Sequence, residues 1–119
     1  MGATAGCTTK VATIANGASL SDEIDLEGFS LAAIEMPTGW TAASLTFQGC
    51  SVSGGIFREI HEDGGTAVAA TVAASRIVLL NTNATNNLRA LRFIKIRSGT
   101  SGTPVNQGAE RILTLILKA

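Results

Sequence analysis

The sequence predicts an all-β fold, an antiparallel β-sandwich or barrel of eight or nine strands in a single domain. Three observations carry that prediction. Turn signals punctuate the chain about every eight to twelve residues, the spacing of a sandwich or barrel. Small and β-compatible residues dominate, with 18 Ala, 14 Thr and 13 Gly among 119 residues, while 45% of the chain is apolar and only 15% charged. Such a chain has the material for a core and too little charge to remain disordered. Finally, several segments between the turns alternate apolar and polar side chains, the two-residue period of a strand with one buried face.

Residues 1–9, rich in Ala, Gly and Thr, read as a flexible arm, and residues 10–119 as the sandwich. The first strand is expected over 10–14, before the turn at Asn16-Gly17. A second run over 20–26 ends at Glu27-Gly28, and a third over 30–35 stops before Pro37-Thr38-Gly39. In residues 44–51, Leu45 and Phe47 alternate with Ser44, Thr46 and Gln48, which predicts one core face and one wet face. Runs over 56–61 and 67–72 flank the hairpin signal Asp63-Gly64-Gly65.

The stretch 67–80 holds helix-forming alanines, yet Thr66, Val68, Thr71, Val72, Ile77 and Val78 are β-branched and favour strands. Two strands, 67–72 and 76–80, are therefore expected, with a turn at Ala73-Ala74-Ser75. The Asn-rich segment 81–87 reads as a loop, with a single helical turn at 87–91. In residues 92–98, Ile94 and Ile96 oppose Lys95 and Arg97, while Phe93 sits on the charged face as a ring for a neighbour to cover. Residues 111–117 are apolar on both faces, Leu113, Leu115 and Leu117 against Ile112 and Ile116. A strand of that kind is central or lies under a partner.

Nine basic and nine acidic residues cancel, which argues against a general nucleic-acid binder and favours association of the protein with its copies. The cancellation is uneven along the chain. Residues 1–57 carry minus four, residues 76–119 plus six and the middle minus two. Either these segments pair within one molecule, or an acidic and a basic face meet between copies. No run approaches the roughly 18 apolar residues of a membrane helix, so a soluble, unprocessed chain is expected. Cys7 and Cys50 stand alone, without a CxxC pair or a nearby His, and are expected as reduced thiols.

Four constellations could carry chemistry. His61, the only histidine, stands among Glu59, Glu62 and Asp63, but the last two belong to the turn, so this is hairpin chemistry rather than a metal site. Asp22, Glu23, Asp25 and Glu27 form an acidic strand edge without the DxDxDG pattern of a calcium loop. Trp40 follows a tight turn, where it plugs the end of the sandwich or stacks on a sugar or partner. Residues 97–108 make a long polar connection, which reads as an interaction loop and lacks the Gly-Lys-Ser/Thr ending of a phosphate loop. No Gly-x-Ser-x-Gly elbow is present, and neither catalysis nor any cofactor or metal is expected.

The segments 15–21, 36–48 (Met-Pro-Thr-Gly-Trp-Thr-Ala-Ala-Ser-Leu-Thr-Phe-Gln) and 91–99, with Pro104-Val105-Asn106-Gln107 and the Leu-rich last strand, resemble small all-β virion proteins of tailed bacteriophages. The resemblance spans about residues 10–118. It implies a jelly-roll-like antiparallel β-sandwich, and a capsid cement or decoration protein on the virion surface, made in the host bacterial cytoplasm. Its expected partners are the major capsid protein and copies of itself, as a dimer or trimer, with no nucleic acid and no membrane. The alternative is a tail-associated fibre adaptor or glycan-binding host-recognition module. The candidate interface residues are Asp22, Glu23, Asp25, Trp40, Phe93, Lys95, Thr100, Asn106 and Gln107.

Overall fold

The computed structural model describes residues 6–119. They form nine strands: β1 (Cys7–Ile14), β2 (Ile24–Asp25), β3 (Ser30–Glu35), β4 (Leu45–Cys50), β5 (Arg58–Glu59), β6 (Ala69–Ala70), β7 (Ile77–Leu79), β8 (Phe93–Ser98) and β9 (Arg111–Lys118). A helical turn, α1 (Asn83–Asn86), runs into a 3-10 turn at Asn87–Ala90. The strands pair antiparallel in two sheets, one ordered β1-β9-β3-β7 and the other β2-β8-β4-β5, with β6 also on β4. From β1 to β4, and again from β7 to β9, successive strands lie in opposite sheets, and the first strand pairs with the last. Two antiparallel sheets make the sandwich that the turn spacing predicted, and the repeated crossing between them is the jelly-roll-like arrangement that the resemblance implied.

The centre of the first sheet follows from the Leu-rich end of the chain. β9 is paired on both sides, to β1 and to β3, so its backbone is satisfied within the sheet and Leu113, Leu115 and Leu117 point wholly into the core. In β3, Leu31 and Ile34 are both fully buried although three residues apart, a spacing that puts side chains on opposite faces of a regular strand. A β-bulge between Leu31 and Ala33 supplies the extra residue that turns both inward. The second sheet answers with Leu45 and Phe47 from β4 and Ile94 and Ile96 from β8. Removing one of these branched side chains to alanine would cost about 2–5 kcal/mol, the lost transfer free energy plus a cavity.

Several expectations are corrected in detail. β1 starts at Cys7, where it pairs with Lys118, so Cys7, Thr8 and Thr9 belong to the sheet, not to an arm. The rest of the expected arm, residues 1–5, lies outside the described residues. The run 20–26 contributes only Ile24–Asp25 as strand, with single bridges from Ser21 to Ile14 and from Leu20 to Arg97. The runs 56–61 and 67–72 shrink to two residues each. Thr46, expected on a wet face, is buried because its hydroxyl donates to the Gly99 carbonyl. Both cysteines are free.

Candidate functional site

The register of the first sheet decides what its outer face displays. Val11, Thr114, Glu35 and Ile77 stand side by side in one cross-strand row, Thr9, Ile116, Ala33 and Leu79 in the next, and Thr13 beside Ile112 in a third. Neighbours in such rows are about 5 Å apart, close enough to form one continuous surface. Six large hydrophobic residues among the described ones are exposed, and four of them lie here: Val11 (55%), Ile112 (50%), Ile77 (58%) and Leu79 (72%). Single exposed aliphatics need no explanation. Here Ile77 and Leu79 at one edge and Val11 and Ile112 toward the other are separated by Thr114 and Glu35 in the first row and linked through the half-buried Ile116 in the second. Glu35 and Lys118, one of each sign, are the charges its strand register places on this face.

The edge of the same sheet is treated differently. The Thr13 amide donates to the Asp22 carboxylate at 2.9 Å, and the Asp22 amide returns a bond to the Thr13 carbonyl at 3.2 Å. Lys10, which points to the inner side of β1, donates to the Asp25 carbonyl and pairs with Glu27 at 3.2 Å. An inward charge and a capped end discourage strand-to-strand addition. The β1 edge is thus guarded, while the outer face of the sheet carries exposed aliphatics.

The sequence candidates divide into buried and exposed. Trp40 is 7% exposed, and its indole Nε1–H donates to the Ala43 carbonyl at 3.2 Å, so it closes the end of the sandwich and is not a stacking platform. Gln107 is 1% exposed and acts as an internal clasp, which removes it from any interface. The segment 97–108 is accordingly less free than its composition implies. Gly99 bridges to Pro104, the Gln107 amide donates to the Ala18 carbonyl at 2.9 Å, and only residues such as Thr100 and Asn106 stay exposed.

The charged candidates are engaged within the chain. The Arg92 guanidinium holds the Asp25 carboxylate with Nε and Nη2, each at 3.1 Å, which draws the Asp25 carboxyl below its ordinary pKa and raises that of Arg92. Glu23 accepts the Ser53 hydroxyl at 2.6 Å and the Gly54 amide at 2.8 Å, and those hydrogen bonds lower its pKa too. Arg92 also lies 5.3 Å over the half-buried Phe93 ring, and Lys95 lies 4.6 Å over Phe57. Glu59 pairs with Arg97 rather than with His61. Among the described residues, no group of three or more His, Cys, Asp or Glu is placed to hold a metal ion.

The residues that sequence reasoning missed are Val11, Ile77 and Leu79. A signal existed in the unbroken run Ile77-Val78-Leu79-Leu80, where Leu80 is buried, Val78 half-buried and the other two exposed.

The fold is shared with a phage-derived protein. The crystal structure of SPBc2 prophage-derived protein YomS is similar to this chain with a TM-score of 0.52 at 10% identity, over 95% of each chain. Neither a family model nor a curated protein matches the sequence. At that identity the likeness is one of fold.

Proposed function

We propose that this protein is a non-enzymatic structural component of a bacteriophage virion, a capsid decoration protein whose outer sheet face seats on the major capsid protein lattice and on copies of itself. The carrying observation is the open aliphatic face of β1, β9, β3 and β7, with Val11, Ile77, Leu79 and Ile112 exposed together. The sequence resemblance to phage virion proteins and the prophage origin of a protein sharing the fold support the same reading.

The size of the face tells what it can do alone. Strands of eight, eight, six and three residues, rising about 3.4 Å per residue and about 4.8 Å apart, give each copy a face of about 400 Å². Two copies would bury about 800 Å², below the roughly 1,000 Å² of a specific interface. Free copies therefore associate weakly. On a lattice that offers many sites, ligand-like occupancy stabilises the assembled state by mass action, and weak contacts suffice.

The test compares heads with and without the protein. Particles carrying it should release DNA at a higher temperature than particles lacking it, and adding the purified protein back should restore the difference. Equal release temperatures, or restoration by a L79K variant that cannot seat its face, would overturn the proposal.

A further inference from the structure

A cleft of about 510 Å³ opens between the turn after β5 and the α1 segment. This volume lies within the range of small-ligand sites. Its floor is aliphatic, with Ile60 and Leu91 half-buried. Gly49 of β4 makes room for that floor, because a Cβ there would stand 2.6 Å from the Leu91 side chain and 3.0 Å from Ile60. The rim is polar, formed by His61 and Asp63 on one side and Asn83 and Asn87 on the other.

Both walls are held by the chain's own hydrogen bonds. His61 bridges to Ala67, the Glu62 amide donates to the Thr66 carbonyl at 2.7 Å, and Gly65, at φ +96°, donates to the Glu62 carbonyl at 2.9 Å. Across the cleft, Thr82 and Thr85 cap α1 reciprocally, each amide donating to the other's hydroxyl at 3.2 Å. Asn83 and Asn87 are four residues apart and share one side of that turn, with the Asn87 amide donating back to the Asn83 carbonyl. The side chains of His61, Asp63, Asn83 and Asn87 form no hydrogen bond with another described residue, and all four are exposed to the cleft.

The chemistry of the rim selects a ligand. Asn amides donate and accept, a carboxylate accepts, and an imidazole does either, which suits vicinal hydroxyl groups. No Lys or Arg lines the cleft, while Asp63 and Glu62 do, so phosphate, sulfate and sialic acid are repelled. The aliphatic floor suits the C–H face of a ring. From this combination we infer that the cleft binds a neutral pyranose unit of a polysaccharide. Without an aromatic platform the affinity for one ring is weak, with a Kd of about 1 mM or above, and display of many copies on one particle would raise the avidity.

The experiment is an NMR titration of amide shifts in the full chain with D-glucose, D-galactose and tri-N-acetylchitotriose, using free N-acetylneuraminic acid as the charged control. At least one neutral sugar at about 50 mM should shift the amides around His61, Asn83 and Asn87. The variants N87A and D63N should weaken that binding by about tenfold while keeping the wild-type melting temperature. Absence of shifts for all three sugars, shifts unchanged in both variants, or an equal response to free N-acetylneuraminic acid would overturn the inference. Should N87A prove unstable, D63N alone carries the test. Failure here leaves the lattice proposal standing, because L79K removes the docking face without touching the cleft.

Discussion

The Gln107 side chain pairs with the Thr41 backbone in both directions: its Oε1 accepts the Thr41 amide at 2.8 Å, and its Nε2 donates to the Thr41 carbonyl at 3.1 Å. The same Nε2 donates to Ser98 Oγ at 2.7 Å, and Oε1 also accepts Arg111 Nε at 3.1 Å. One buried amide thus fastens the 99–107 segment to the residue that follows Trp40 and to the start of β9. The Q107L variant keeps the bulk and loses the bonds, leaving polar partners unsatisfied. It should cost about 2–3 kcal/mol and lower the melting temperature by about 8–12 °C, read by thermal denaturation. A loss below about 0.5 kcal/mol would mean that water replaces the clasp.

Glu59 and Arg97 form an ion pair with side chains 14% and 10% exposed, and the second carboxylate oxygen, Oε2, is buried without a hydrogen-bond partner. Burying such a pair has a desolvation cost that attraction barely repays, while removal of one member strands the other. Urea denaturation of E59L, R97M and the double variant should therefore show each single costing about 2–4 kcal/mol and the double less than either. Additive single losses would show that the two groups act independently.

Acid should unfold the protein partly through Asp25 and Glu23. Both carboxyls have lowered pKa values in the folded chain, Asp25 through Arg92 and Glu23 through Ser53 and Gly54. The unfolded chain therefore takes up these protons first as pH falls. Their stabilisation is complete above the ordinary carboxylate range and is lost as pH drops through the folded values. The D25N and E23Q variants should each flatten the dependence of stability on pH in the acid range and leave the slope near neutrality unchanged. A wild-type slope in either variant would show that other carboxylates carry the effect.

Those pairings also explain which features were legible in sequence. β3 and β9 stand close to where their apolar spacing put them, and Leu113, Leu115 and Leu117 occupy the core as the alternation required. The short strands were not legible, because two residues such as Ile24–Asp25 show no period and owe their state to β8. Gln107 could not be recognised as a clasp, since Thr41 lies 66 residues away in the chain. Trp40 after a turn is compatible with a plug or a platform, and only burial separates the two. The split of charge along the chain read either as facing surfaces or as internal pairs, and Arg92 with Asp25 is such an internal pair between the basic and the acidic segment.

With so much of the charge used inside the molecule, self-association should rest on the aliphatic face. Its strand register places only Glu35 and Lys118 there as charges, so sedimentation velocity should find a weak dimer, with a Kd in the micromolar range or above, that changes little between low and high salt. Cooling should loosen it, as expected when apolar burial drives association. Placing lysine at the most exposed position, L79K, or at its counterpart near the other edge, V11K, should leave a folded monomer, because neither side chain reaches the core. A dimer that dissolves in salt and survives both substitutions would instead place the contact on the second sheet, where Lys95 stands half-buried.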